Sequence, residues 1–268
     1  LYWVAIIKFV FALNIPLIFT EHSTSNRRIE SPFYRILDRF IYKRYEKIIA
    51  ITPQVKEVLE NKLGILPSKI EVIYNGIDIN RYAFSKSYGE ISTFNSEDII
   101  LIQISRFAEA KDQKTLIYAL NDLPNEYKLL LVGDGETKVF CENLVQDLQL
   151  QDRVQFLAVR SDIPELLKTA DIVIQSSHWE GFGLAALEGM ASGKPVIGSN
   201  VPGLREVILD YGLLFEKSDH KDLVRKIQYL EDESNYQKIK SQCINRAKDF
   251  TMSTSINKLT NVYNSIYS

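Results

Sequence analysis

DIVIQSSHWEGFGLAALEGMASGKPVIGS, residues 171–199, decides how the chain is read. An apolar run of strand length, DIVIQ, leads through a loop bearing two glycines into FGLAALEGMAS, a small-residue helical stretch. Gly193 reads as the helix stop, and Lys194-Pro195 opens a second apolar run, PVIGS. Strand, helix and strand in that order imply a crossover between two parallel strands. Two glutamates mark the unit: Glu180 opens the loop, and Glu188 lies inside the helix.

Outward from this unit the alternation continues. DIILIQI (98–104), YKLLLVG (127–133), VQFLA (154–158) and GLLF (212–215) are further apolar runs, separated by helical stretches such as KTLIYALND, ETKVFCENLVQDLQL and DIPELLKTA. Short strands without polar alternation, spaced by helices, predict a parallel sheet covered on both faces. Ligands of such sheets bind beyond the carboxyl ends of the strands. The loops to watch are therefore 105–111, 133–136, 158–162, 176–183 and 199–203.

Residues 1–80 repeat the rhythm in shorter form: helix, PLIFT, helix, KIIAIT, helix, KIEVIYN. The opening LYWVAIIKFVFALNIPLIF approaches the length of a membrane span. Lys8, Asn14 and Pro16 argue instead for a buried helix ending near Asn14 and then a core strand. No small-residue cleavage site of a signal peptide follows. The chain begins at Leu1 and reads as a piece of a longer protein. Ser31-Pro32 marks a helix start, with Phe33, Leu37, Phe40, Ile41 and Ile48 expected on one face. Arg35, Arg39, Lys43, Arg44 and Lys47 would form a basic face, either solvated or laid on anionic lipid. NGIDINRYAFSKSYGEISTFNSED (75–98) breaks the periodicity and reads as a linker. The expected division is a partial α/β domain and linker over 1–90, a complete α/β domain over 91–250, and a C-terminal helix over 251–268 that returns to the first part.

The 268 residues are 46% hydrophobic and 25% charged, with a formal net charge of −2. That balance is ordinary for a globular protein and offers no basic field for nucleic acid. Cys141 and Cys243 read as free thiols of a reducing compartment. His22, His178 and His220 lie far apart, without the spacing of a zinc site.

The strand-following loops carry the chemistry. ISRFAEAK places Arg106 and Lys111 at one strand end, where a guanidinium fork and an ammonium point charge suit a diphosphate. Taken alone they are ordinary surface cations. VGDGE offers glycines that let a backbone approach a ligand, though many turns contain such a triplet. Gly181 and Gly183 flank Phe182 at a helix start, whose free N–H groups suit sugar hydroxyls or phosphate oxygens. Glu188 lies about 7.5 Å further along the helix axis. It reads either as a surface helix residue or, since its neighbours are small and apolar, as a buried carboxylate in need of partners, for which paired ribose hydroxyls are good donors. On one continuous helix Glu180 and Glu188 would stand about 80° apart. This spacing, with glycines between, describes two clamps on one ligand rather than an acid/base pair across one bond.

IYNGID (73–78), SRFAEAK (105–111), LLLVGDGE (129–136), ADIVIQSS (170–177), EGFGLAALE (180–188) and GKPVIGSNVPGLREVI (193–208) together resemble the family 4 glycosyltransferases. These are retaining enzymes of the GT-B fold, α/β proteins with two Rossmann-like domains. The resemblance covers the donor domain throughout and only the last part of the acceptor domain, from TEHS onward. It implies a UDP- or GDP-sugar donor, no further cofactor, no metal ion and a glycan or lipid-linked acceptor in polysaccharide biosynthesis. By the same resemblance Glu188 binds the ribose and Glu180 the transferred sugar. Backbone groups of Gly181, Phe182, Gly183 and Leu184, with Ser105 and Gly133, hold sugar and phosphates. Arg106 and Lys111 neutralise the leaving diphosphate, His22 lies near the donor sugar, and the loop around Val159 and Arg160 receives the base. A cytoplasmic protein is implied, with peripheral contact at the inner face of the membrane.

Ser105 departs from the glycine usual beside the arginine, and a glycine-rich loop ahead of Leu1 is missing. The chain as it stands is therefore expected to bind nucleotide sugar and transfer it poorly. A donor-binding remnant, a sugar-nucleotide epimerase of the same fold and a phosphorylase remain as alternatives.

Overall fold

The computed structural model describes residues 2–23, 31–88 and 94–267. The chain forms two compact units, Leu1–Gly76 with Met252–Ser268, and Ile77–Thr251.

In the first unit β1 (Ile18–Glu21), β2 (Lys47–Ala50) and β3 (Ile70–Val72) form a parallel sheet in that order. Among the described residues three helices precede or link these strands: α1 (Tyr2–Val10), α2 (Pro32–Tyr42) and α3 (Pro53–Asn61). Thr52 starts α3 by accepting the Val55 N–H on its side chain at 3.2 Å, with Pro53 in the first turn. Ile49, Ile73 and Val262 make a small core, the last from the C-terminal helix Met252–Tyr267.

Two expectations fail in this unit. The first helix ends at Val10 rather than near Asn14, and Ala5 is its one buried residue among those described. Trp3, Phe9 and Val10 stay exposed, so apolar composition here does not mean burial. Polar contacts help to seat α1: Tyr2 donates to the Asp38 carboxylate, and Lys8 lies 3.7 Å from Glu46. In α2 the buried residues are Asp38, Ile41 and Tyr42, while Phe33, Leu37 and Phe40 are exposed and Ile48 belongs to β2. The helix turns inward the face that meets Tyr2, not its most apolar one.

The second unit holds six parallel strands: β4 (Ile99–Ile104), β5 (Tyr127–Val132), β6 (Val154–Leu157), β7 (Ile172–Gln175), β8 (Val196–Ser199) and β9 (Leu213–Phe215). Their order is β6-β5-β4-β7-β8-β9. The chain builds outward from β4, then returns to its other side with β7. That reversal leaves a crevice at the carboxyl ends of β4 and β7, the usual ligand position in an open α/β sheet.

Eight helices of this unit follow in chain order: α4 (Ile79–Ala83), α5 (Gln113–Asp122), α6 (Lys138–Asp147), α7 (Ile163–Thr169), α8 (Leu184–Ala191), α9 (Leu204–Ile208), α10 (His220–Tyr229) and α11 (Glu233–Ala247). Leu101, Leu129, Leu130, Val173, Ile174 and Ile197 are fully enclosed beneath them. Gly189 lets α8 lie close on β7, since a Cβ there would stand 2.8 Å from the Val173 side chain. The expected linker over 75–98 contains α4, capped by Asp78, so structure begins earlier than the periodicity shows. Residues 89–93 of that linker lie outside the described residues. No helix among the described residues is long and apolar enough to cross a membrane.

Candidate functional site

The loops after β4 and β7 face each other across the crevice, and buried polar side chains fix their backbones. Gln103 donates its amide to the Lys111 carbonyl at 2.9 Å. The Ser176 hydroxyl lies 2.9 Å from both Gln103 Oε1 and the Asp112 carbonyl and 3.1 Å from the Lys111 carbonyl, three acceptors for its one proton. Gln113 donates to the Arg106 carbonyl at 2.9 Å and to the Ser105 hydroxyl oxygen at 3.0 Å. Buried amides without such partners would be costly, so these bonds hold the loop in one conformation.

Lys111 from the first loop and Glu180 from the second form an ion pair, both mostly shielded from solvent. Glu180 also accepts the Gly181 N–H at 3.2 Å. Arg106 is directed elsewhere: its guanidinium meets Glu136 at 2.8 Å in an exposed pair. Glu136 is held below the usual carboxylate range by its own backbone N–H and by Arg106. Surface pairs of this kind contribute little, so Arg106 is available to exchange partners.

The first glycine of LLLVGDGE serves a protein contact. Gly133 has φ +139°, and a Cβ there would stand 2.1 Å from the Ser105 carbonyl oxygen. Backbone approaches backbone here, and the loops after β4 and β5 interlock through the Phe107 N–H donating to the Asp134 carbonyl at 2.9 Å.

Gly183 is the N-cap of α8, and the first N–H groups of that helix have no intrahelical partners. Phe182 is buried, its ring edge-on to Phe250 with centroids 5.6 Å apart, so its side chain anchors the loop. Leu184 stands exposed at the first turn. Gly203, in the loop after β8, packs under the same segment, and a Cβ there would lie 2.4 Å from the Glu180 carbonyl oxygen.

Glu188 is half-buried in α8. Burial pushes its carboxyl above the usual range, opposed by the Tyr82 hydroxyl and the charge of Arg81. Tyr82 is itself buried on α4, and its phenol is pushed up by burial and by the neighbouring Glu188. Arg81 donates to the Ser161 carbonyl at 3.5 Å, tying α4 to the loop after β6. Neither Arg81 nor Tyr82 was expected from sequence. The one available signal was Asp78, a capping residue ahead of INRYA.

The remaining expected residues are placed as follows. Val159 is exposed after β6, and Arg160 beside it donates to Asp162 at 2.8 Å. His22 belongs to the first unit, directly after β1, where its N–H donates to the Glu21 carboxylate at 3.1 Å. Ser105, Arg106, Lys111, Gly133, Glu180, Gly181, Phe182, Gly183, Leu184 and Glu188 all belong to the carboxyl end of one sheet. Among the described residues no group of three or more His, Cys, Asp or Glu is placed to hold a metal ion.

Comparison with known proteins agrees with this architecture. The chain is 34% identical over 233 residues to N-acetyl-alpha-D-glucosaminyl L-malate synthase of Bacillus anthracis, a match covering 82% of this chain and 60% of that one. It is 26% identical over 258 residues to the Escherichia coli UDP-Gal:alpha-D-GlcNAc-diphosphoundecaprenol alpha-1,3-galactosyltransferase, covering 91% and 66% respectively. The chain thus spans 60% to 66% of the length of these two relatives. Among solved structures, Anabaena Alr3699/HepE in complex with UDP and glucose superposes with a TM-score of 0.86 at 26% identity, covering 98% of this chain and 74% of that one. Glycosyltransferase Family 4 matches residues 1–81, and Glycosyl transferases group 1 matches residues 85–250. With the β4/β7 crevice inside a match that takes in more than half its length, the chain belongs to the group 1 glycosyl transferases.

Proposed function

We propose that the second unit binds a nucleotide-diphosphate sugar across the β4/β7 crevice and serves a retaining, metal-independent sugar transfer to a glycan or lipid-linked acceptor. The observation that carries this reading is the Lys111–Glu180 pair across the crevice, beside the N-terminus of α8 and with Glu188 on the same helix. Lys111 would exchange Glu180 for the diphosphate, and Arg106 would exchange the exposed Glu136. Released from Lys111, Glu180 would accept from sugar hydroxyls, while Glu188 accepts from the ribose. The α8 N–H groups, with Gly181, Phe182, Gly183 and Leu184, would hold phosphate oxygens. The loop of Val159 and Arg160 would lie against the base.

In the reaction the bond between the anomeric carbon and the phosphate oxygen breaks and a bond to the acceptor oxygen forms. The acceptor proton goes to a leaving phosphate oxygen. Charge develops on the diphosphate, and fixed cations at that position stabilise the transition state most effectively. The HepE complex with UDP and glucose supports a uridine donor, and the galactosyltransferase relative supports a lipid-linked acceptor.

A thermal-shift panel of UDP-, GDP- and ADP-sugars in EDTA tests the donor site. One nucleotide series at 100-fold its Kd should add about 2.7 kcal/mol, raising the Tm by roughly 5–10 °C. Lys111→Met should remove that shift. A flat response of the parent to every nucleotide would sink the reading.

Peripheral attachment to the inner face of the membrane is part of the proposal. Phe33, Ile36 and Phe40 of α2 are exposed, as are Trp3 and Phe9 of α1. Arg44 stacks over both Phe9 and Phe40, at 5.4 and 4.6 Å from their centroids. Aromatic side chains beside cations suit an anionic lipid surface. Cosedimentation with vesicles containing phosphatidylglycerol should be lost in Phe40→Glu, and equal binding to neutral vesicles would contradict this surface.

A further inference from the structure

Beside the Lys111–Glu180 pair in sequence, a second pair joins the same two loops. Asp112 follows Lys111 in the left-handed conformation, φ +45°, with its side chain wholly enclosed. Its Oδ2 accepts the Thr115 hydroxyl at 2.7 Å and lies 3.4 Å from His178 Nδ1. His178 stands two residues before Glu180, and its backbone N–H donates to the Ala110 carbonyl at 2.8 Å. The Ser218 hydroxyl lies 3.4 Å from the same ring nitrogen. Asp112, Thr137, Cys141 and His178 line a cavity of about 130 Å³. Asp112 Oδ1 and Thr137 Oγ1 have no hydrogen-bond partner among the described residues. Burial pushes the Asp112 carboxyl up, opposed by Thr115 and His178. Cys141, pushed up to about 11 by burial, stays a thiol and brings no charge to the cavity.

The two pairs run in opposite directions between the loops. The first loop supplies the ammonium of Lys111 and the carboxyl of Asp112, while the second supplies the carboxylate of Glu180 and the imidazole of His178. Resting on the donor-site reading above, we propose that Asp112 and His178 are positioning residues. They form a fastening that holds the two donor loops in register when a diphosphate draws Lys111 away from Glu180. The first pair must open for ligand to enter. The second, with Asp112 wholly enclosed and His178 largely so, uses neither Lys111 nor Glu180 and need not open. An enclosed carboxylate leaning on one imidazole also makes the link specific, because Asp112 has few other partners to turn to.

Amide exchange of the ligand-free protein and titration with UDP and GDP test this together. His178→Ala should speed exchange about tenfold in both 105–112 and 176–183, leaving α10 at its parent rate. His178→Asn, whose amide nitrogen reaches the position of Nδ1, should keep parent rates. Nucleotide affinity should fall about tenfold in His178→Ala and stay within threefold in His178→Asn. Exchange rising in one loop alone, in all helices, or nowhere would overturn the fastening, as would an Asn variant no better than Ala. Unchanged nucleotide affinity in His178→Ala would overturn its positioning role. If the parent binds neither nucleotide, the donor-site reading fails, while the exchange pattern still decides the fastening.

Discussion

Glu188→Gln is expected to remove most of the stabilisation by nucleotide sugar while raising the Tm of the ligand-free protein at neutral pH. Glu188 is half-buried and its carboxyl is pushed above the usual range by burial. An acid whose folded pKa exceeds its unfolded value keeps its proton in the native state after the unfolded chain has lost it. Stability therefore falls as pH rises from about 4.3, the ordinary glutamate value, through the raised folded value. Above that window the ionised group is a standing penalty, which glutamine removes. Below about pH 4 both variants are neutral at this position, and their melting temperatures should converge. Ligand binding moves the other way. Two hydroxyls donating to a carboxylate are worth about 1.5–3 kcal/mol each, and a neutral amide recovers part of that, so affinity should fall roughly 100-fold. Melting curves from pH 4 to pH 8, with and without UDP, measure both effects. A variant that binds UDP like the parent, or that melts lower at pH 7.5, would refute the assignment of a strained binding carboxylate.

How much of this was legible in sequence depends on what each residue answers to. The strands of the second unit were readable because ILIQI, KLLLV and IVIQ are buried on both sides, so apolar continuity and burial coincide. Lys111, Glu180 and Glu188 stood out as candidates because loops at strand ends and a helix start announce themselves through glycine and polarity. The first unit broke the same logic. Trp3, Phe9, Phe33 and Phe40 are apolar yet exposed, and α2 buries Asp38, because polar contacts help to seat α1. Composition ranks side chains by solubility and cannot show which face meets a neighbour. Tyr82, Asp112 and His178 were missed for another reason. Each acts through a residue distant in sequence, Glu188 or the opposite loop, and no local pattern encodes such a pairing.

Gly203→Ala is expected to disable the site, whereas Gly193→Ala, at a similar φ, is expected to leave it working. Both glycines lie in positive φ, +88° for Gly203 and +78° for Gly193. An L residue in that region costs about 1–2 kcal/mol, a fall in Tm of roughly 2–8 °C for a unit of this size. Gly203 also has ψ −55°, outside the left-handed helical well, and its neighbours are far less forgiving. At Gly193 the nearest atom to an added Cβ is Ile244 Cδ1 at 3.6 Å, an ordinary contact with a flexible side chain. At Gly203 it is the Glu180 carbonyl oxygen at 2.4 Å, with the carbonyl carbon at 2.8 Å. Backbone cannot rotate aside as a methyl can, so the 180–183 loop must shift. The Gly203 N–H also donates to the Glu206 carboxylate at 2.6 Å, so displacement of Gly203 loosens the start of α9 as well. Moving Glu180 separates it from Lys111, and geometry lost by about an ångström in such a site can cost a hundredfold in rate. Measured at 15 °C, where circular dichroism can establish that both variants are folded, Gly193→Ala should bind UDP within twofold of the parent. Gly203→Ala should bind at least tenfold more weakly. Equal binding by the two would mean that the 180–183 loop tolerates displacement and that Glu180 is not held by this contact. The expected inequality would instead trace the glycine of NVPGLRE to one atom, the carbonyl oxygen of the residue that opens the donor loop.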